Sequence, residues 1–211
     1  MSETSIKKIK LGIIDLKSHN LFSILQACKN IGYKSSVVNN YSNKLNFDII
    51  ILPGVGSFKY AMKYLRQFHL QKKLFEFTLS KNKLLLGICL GMQLLFEKSD
   101  EFGKTKGLEL IAGNVKKFNK NKLIVPHVGW NNIFTINNFF LPSNVLNKKF
   151  YFTHSYYCQP KNKYEINTFT KYGNLKFCSS IKKNNIIGTQ FHPEKSGEPG
   201  LKILKNISNL I

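Results

Sequence analysis

The 211-residue chain is expected to fold as a doubly wound α/β unit, with a mostly parallel sheet and an antiparallel extension. Three observations predict this. Short apolar runs alternate with segments of helical spacing through the first half, the pattern of repeated β-α units. Two of those runs, Phe47–Leu52, broken only by Asp48 near its start, and Leu84–Ile88, lack the polar alternation of half-exposed strands, as strands buried on both faces do. From about Gly107 onward the pattern becomes short strand-like pieces separated by turns rich in Asn and Lys.

Taken in order, Ile9–Leu16 reads as the first strand, and Asn20–Ile31 follows with Leu21, Ile24, Leu25 and Cys28 at helical spacing. Val37-Val38 gives a short second strand. Phe47–Leu52 stops at Pro53-Gly54, and helical patterns cover Ser57–Phe68 and Leu70–Leu79. Leu84–Ile88 then feeds a helix expected over Leu90–Glu97. The remaining strands are expected at Gly113–Phe118, Leu123–Val128, Phe150–Thr153, Glu165–Thr170, Phe177–Lys182 and Ile186–Gln190, with a closing helix over Pro199–Leu210. No repeat, linker or composition break divides the chain, so residues 1–211 read as one domain.

Composition narrows the function classes. The formal charge is +21, yet Arg66 is the only arginine and the lysines are spread among Asn, Ile and Phe along the whole chain. Without a recognition motif, that charge reads as a solvated surface and not as a nucleic-acid site. No segment has the length and apolarity of a membrane span, and Met1–Lys10 lacks the apolar core of a signal peptide. Cys28, Cys89, Cys158 and Cys178 lie far apart, which argues against a disulfide framework and points to a reducing cytoplasm. The spacings of His127, His154 and His192 match no common ligand pattern, so neither a metal nor a cofactor is expected.

The chemistry concentrates at Gly87-Ile-Cys-Leu-Gly91, where a strand turns directly into a helix. Glycines on either side permit a tight elbow that projects the central side chain, and the helix N-terminus favours an anionic thiolate, so Cys89 reads as a nucleophile. A nucleophile needs a base and a group to orient it. Gln190-Phe-His-Pro-Glu194 supplies both, because His192 and Glu194 stand two apart in a segment that Pro193 keeps out of helix. Pro53-Gly-Val-Gly56 sits between a buried strand and a helix, where backbone N–H groups can face a developing negative charge. Such donors are worth roughly 3–4 kcal/mol each.

These residues together resemble the class I, triad-type glutamine amidotransferases, over nearly the whole chain. Pro53-Gly-Val-Gly-Ser57, Leu86–Glu97 around Cys89 and Phe191-His-Pro-Glu-Lys-Ser196 stand where that family has its oxyanion strand, nucleophile elbow and base segment. Gly107–Gly113, Pro126-His-Val-Gly-Trp-Asn131 and Phe152-Thr-His-Ser-Tyr156 resemble the branch that serves imidazole glycerol phosphate synthase in histidine biosynthesis. The resemblance implies that Cys89 attacks the side-chain amide of L-glutamine, His192 protonates the departing ammonia and Glu194 orients the imidazole. It also implies that Gly54, Val55 and Gly56 contact the reacting amide and that Gln93, Ser155 and Tyr156 hold the glutamine. The implied partner is a (β/α)8-barrel cyclase subunit in a heterodimer, met by a surface that includes Asn20, Trp130, Tyr151 and Lys195. A synthase of another kind, such as a sugar-amidating enzyme of surface polysaccharide assembly, is the alternative recipient of the ammonia. One departure stands out: the family opening Asp-Tyr-Gly-x-Gly-Asn-Leu reads Asp15-Leu-Lys-Ser-His-Asn-Leu21 here, with larger residues in place of both glycines.

Overall fold

The computed structural model describes residues 9–17, 20–38, 45–146 and 148–211. Its centre is a run of parallel strands: β2 (Ser35–Val38), β1 (Leu11–Ile14), β3 (Ile49–Leu52), β4 (Leu84–Ile88) and β14 (Ile186–Thr189), in that spatial order. β1, β3, β4 and β14 are buried along their whole lengths, because helices cover both faces.

The two-residue period of a strand divides each run between two cores. Ile13, Ile49, Ile51, Leu84 and Leu86 pack with Ile24, Ala27 and Cys28 of α1 (Leu21–Asn30) and Ile203 and Leu204 of α5 (Gly197–Asn206). Ile14, Ile50, Leu52 and Leu85 pack on the other side with Phe58, Met62 and Leu65 of α2 (Phe58–Gln67) and Leu70, Leu74 and Phe77 of α3 (Leu70–Thr78).

Beyond β14 the sheet turns antiparallel through β13 (Leu175–Lys183), β11 (Tyr156–Pro160) and β7 (Ile111–Lys117). The short strands β5 (Phe96–Ser99) and β6 (Thr105–Lys106) continue it, and β12 (Ile166–Tyr172) branches from β13 to β9 (Phe134–Thr135). A separate ribbon pairs β8 (His127–Asn132) antiparallel with β10 (Lys149–His154).

Several boundaries depart from the sequence expectation for identifiable reasons. The helix expected over Leu90–Glu97 ends as α4 at Leu94. Its last carbonyls are captured from outside: Leu108 N–H donates to Leu94 O at 2.8 Å, and Leu110 and Ile111 N–H donate to Leu95 O at 2.9 and 3.0 Å. Phe96–Ser99 therefore continues as a strand against β7. The strand expected over Leu123–Val128 begins only at His127, after Pro126, which has no N–H for a ladder. β11 was not expected; it pairs with β7 from Tyr156↔Lys117 to Pro160↔Gly113 and fills the sheet between β7 and β13. α5 starts at Gly197, two residues before the expected Pro199, whose missing N–H falls in the first turn where no helical partner is required. No helix among the described residues is long and apolar enough to cross a membrane.

Candidate active site

The parallel strands β3, β4 and β14 are adjacent and end at the same edge, and each delivers one expected segment there. This is where open α/β sheets place their ligands. β3 leads into Pro53–Gly56, β4 into Cys89, and β14 into Gln190–Glu194.

Cys89 occupies a strained elbow, with φ 52° and ψ −107°, held because its N–H donates to Thr189 O at 2.7 Å and its carbonyl accepts from Gln93 N. A non-glycine residue in such a region costs on the order of 1–3 kcal/mol. The flanking glycines serve close packing: a Cβ on Gly91 would sit 1.7 Å from Leu52 O, and one on Gly87 would meet the Gly91 backbone at 2.7 Å. The thiol donates to Thr153 O at 3.8 Å, and the side-chain amide of Gln190 donates to the sulfur at 3.6 Å.

His192 is fully buried, and its Nδ1 lies 2.7 Å from Glu194 Oε1. Burial opposes a charge on this ring, but the negative charges of Cys89 and Glu194 and their hydrogen bonds outweigh it and raise the imidazole to about 10. Nε2 has no hydrogen-bond partner of ordinary geometry, although Cys89 is near enough to act on the ring. The imidazole is thus oriented by Glu194 and left with a free nitrogen for a reacting proton.

Asn20, one of the positions expected to face the partner, is only 2% exposed. It stands at the N-cap position of α1, yet its side chain makes no cap; Nδ2 instead donates to Glu194 Oε1 at 2.6 Å and lies 3.4 Å from His192 Nδ1. The burial of Asn20 has a simple cause: α1 packs against the segment that carries Glu194. Trp130 is 55% exposed, Tyr151 is half-buried and Lys195 is exposed. The first two are cross-strand partners in the β8–β10 ribbon with ring centroids 6.1 Å apart, and the Tyr151 ring lies 6.5 Å from that of His192.

A cavity of about 290 Å³ opens over the thiol. Val55, Gly56, Cys89, Gln93, Ser155 and Tyr156 line it, together with Leu90, Glu101, Pro126, Thr153 and His154. Gly54 is not in the lining; its carbonyl accepts from Leu90 N at 3.4 Å and ties the Pro53–Gly56 segment to α4. Gly56 has φ +118°, which favours a residue without Cβ. The Gln93 side chain spans the floor, donating to Tyr156 O at 2.9 Å and Gln190 Oε1 at 3.2 Å.

Glu101 is the lining carboxylate. One of its oxygens accepts from Phe58 N at 2.6 Å at the start of α2; burial raises its pKa against that hydrogen bond and the nearby Lys117. Sequence reasoning missed Gln190, Thr153, His154 and Glu101 as site residues. Gln190 and His154 had a signal, since each sits one or two positions from a residue already singled out. Glu101 had none, because only the tertiary turn after β5 brings it to the cavity.

In the departed first loop, Lys17 adopts φ 57°, the left-handed region, at the place of a family glycine. Asp15 holds it there, accepting from the Lys17 N–H and from its ammonium, each at 2.8 Å. His19, at the place of the second family glycine, lies outside the described residues, as does Ser18.

Comparison with known proteins agrees with this geometry. The chain is 42% identical over 200 residues to imidazole glycerol phosphate synthase subunit HisH of Carboxydothermus hydrogenoformans, covering 94% of this chain and 98% of that one. It is 43% identical over 202 residues to the protein of the same name from Caldanaerobacter subterraneus subsp. tengcongensis, covering 95% and 98%. Among solved structures, a chain of PurLQS from Thermotoga maritima superposes with a TM-score of 0.72 at 18% identity, over 96% of this chain and 98% of that one, which is a likeness of fold. The sequence profile described as glutamine amidotransferase class-I matches residues 12–209, a span that includes the strained Cys89 elbow and the His192–Glu194 pair. The chain belongs to the class-I glutamine amidotransferase family.

Proposed function

We propose that this chain, residues 1–211 as one domain, is the glutaminase subunit of an imidazole glycerol phosphate synthase, hydrolysing L-glutamine and passing ammonia to a cyclase subunit. The observation that carries the reading is His192, buried 2.7 Å from Glu194 and beside Cys89, whose thiol opens onto a cavity of about 290 Å³. That volume lies at the small end of ligand pockets and suits an amino acid better than a nucleotide. Glu101 offers the substrate ammonium a carboxylate, and Ser155 and Tyr156 offer further polar groups in the lining.

The steps follow from these groups. The Cys89 sulfur attacks the side-chain amide carbon of glutamine, and backbone N–H groups of the Gly54–Gly56 segment meet the oxyanion. The protonated His192 gives its proton to the amide nitrogen, the C–N bond breaks, and ammonia leaves behind a glutamyl thioester. Water then attacks the thioester with His192 taking its proton, which releases glutamate and restores the thiol. Because free ammonia in neutral water is mostly protonated and then not a nucleophile, it is passed to the partner without release.

The two full-length relatives at 42% and 43% identity carry the name of this synthase, which favours the histidine branch over a sugar-amidating one. The partner is a (β/α)8 barrel, and the exposed Trp130 and Lys195 and the half-buried Tyr151 meet it. The protein works in the cytoplasm, without a cofactor. The test measures glutamate and ammonia release with and without a cyclase subunit carrying its ligand. The native chain is expected to be weak alone and strongly stimulated by the partner, and Cys89→Ala to lose at least about a thousandfold. Full stimulated activity in Cys89→Ala would sink the mechanism. Trp130→Ala is expected to weaken the complex at least about tenfold by titration calorimetry.

A further inference from the structure

Two histidines to which the reaction assigns no step form a buried chain that reaches the cavity, where His154 is part of the lining. His127 Nδ1 lies 3.0 Å from His154 Nε2, and His154 Nδ1 lies 2.7 Å from Tyr156 O. At the far end Asn131 Nδ2 lies 3.3 Å from His127 Nε2.

The direction of every bond in this chain is dictated by its ends. Tyr156 O can only accept, so His154 carries its proton on Nδ1, and the neutral ring then has a lone pair on Nε2. His127 must donate to that lone pair from its own Nδ1, which leaves its Nε2 as an acceptor. The Asn131 amide meets it with the right group: Oδ1 already accepts from Asn132 N at 2.8 Å, and Nδ2 also donates to Lys171 O at 2.9 Å. Both ends thus impose the same order, with one proton per ring. Burial lowers His154 to about 3 and His127 to about 4, in keeping with two neutral rings.

The chain ends on the backbone that shapes the cavity. Ser155 alone separates β10 from β11, so the Thr153–Tyr156 corner joins the ribbon to the large sheet. Thr153 O faces the Cys89 thiol, and Tyr156 O receives Gln93 as well as His154.

We propose that His127 and His154 are positioning residues, whose one-directional hydrogen-bond chain fixes the Thr153–Tyr156 rim and thereby sets how tightly glutamine is held. This rests on reading the cavity as a glutamine site. The His rings do not touch the reacting atoms. They act through the Tyr156 carbonyl that ends the chain and the corner it belongs to, so their loss weakens substrate binding more than turnover.

The test has two arms. In the native protein labelled with 15N in histidine, proton–nitrogen correlation at neutral pH is expected to find both rings neutral and protonated on Nδ1; either ring charged or protonated on Nε2 overturns the chain. In partner-stimulated assays, His154→Phe keeps the aromatic packing but not the donor, and is expected to raise the glutamine KM about tenfold with kcat changed less than about threefold. His154→Asn, whose Nδ2 stands in for Nδ1, is expected to return KM to within about threefold of native. An unchanged KM in the Phe variant, or an Asn variant as impaired as Phe, overturns the positioning role. Should circular dichroism find the Phe variant unfolded, the native tautomers and His127→Asn, which keeps the donor to His154, decide the question: a tenfold KM rise in His127→Asn overturns the chain. A native chain that releases no glutamate with partner would overturn the glutaminase reading, and the tautomers would still judge the hydrogen-bond chain.

Discussion

Asn20 Nδ2 and Glu194 Oε1 lie 2.6 Å apart, although 174 positions separate the two residues in sequence. The same Glu194 oxygen accepts from His192, so one carboxylate oxygen holds both an amide and an imidazole inside the protein. Asn20→Ala is expected to destabilise the fold by about 1.5–3 kcal/mol, the range for a hydrogen bond to a charged group. Its kcat is expected to drop about tenfold as the carboxylate loses one of its two anchors. Asn20→Asp sets a second carboxylate against the first and is expected to be worse than Ala in both respects. Steady-state kinetics and thermal melts decide this, and an Asp variant equal to native would remove Asn20 from the orienting array.

Acid should loosen the protein through the paired histidines. Their folded values, about 4 for His127 and about 3 for His154, lie below the ordinary 6.5. As pH falls below about 6.5 the unfolded chain takes up these protons first, while the folded rings resist until pH 3–4. Their contribution is therefore intact above about 6.5 and is lost progressively as pH drops through that window. His154→Asn removes one titrating ring, so between pH 7 and 4 its melting temperature is expected to fall about 4–8 °C less than that of the native protein, corresponding to about 2 kcal/mol. Parallel acid slopes for the two proteins would refute this.

Gly91→Ala tests the close approach behind the nucleophile. The added Cβ would fall 1.7 Å from Leu52 O, a backbone atom of a fully buried strand, so β3 and α4 must separate. A cost of about 3 kcal/mol is expected, lowering the melting temperature about 6–12 °C. A melt within 2 °C of native would mean that the elbow yields more freely than its packing implies.

The sequence made the parallel half of the fold legible because β3 and β4 are continuous apolar runs with glycine or proline at their ends. Cys89, His192 and Glu194 were legible for a local reason too: each lies in a short segment whose turn chemistry is written in its neighbours. What could not be read depends on distant registry. Asn20 reads only as a partner-facing position until α1 is docked against the Glu194 segment. The early end of α4 comes from N–H groups more than a dozen residues later, and no property of Leu94 or Leu95 announces them. His127 and His154 match no metal pattern, and only the β8–β10 register shows that they answer each other.

The capture of the α4 carbonyls by Leu108, Leu110 and Ile111 also bears on how this protein can be redesigned. The segment after β6 looks like a connection whose length is free to vary, yet it supplies the stop for the helix that carries the nucleophile. Loop grafting between β6 and β7 would thus be active-site engineering: a replacement that fails to offer those N–H groups would let α4 run on, draw β5 out of the sheet and change the floor beneath the thiol. Sequence diversity in a designed library belongs instead in exposed turns such as Lys120–Lys122, whose side chains take no part in the cavity.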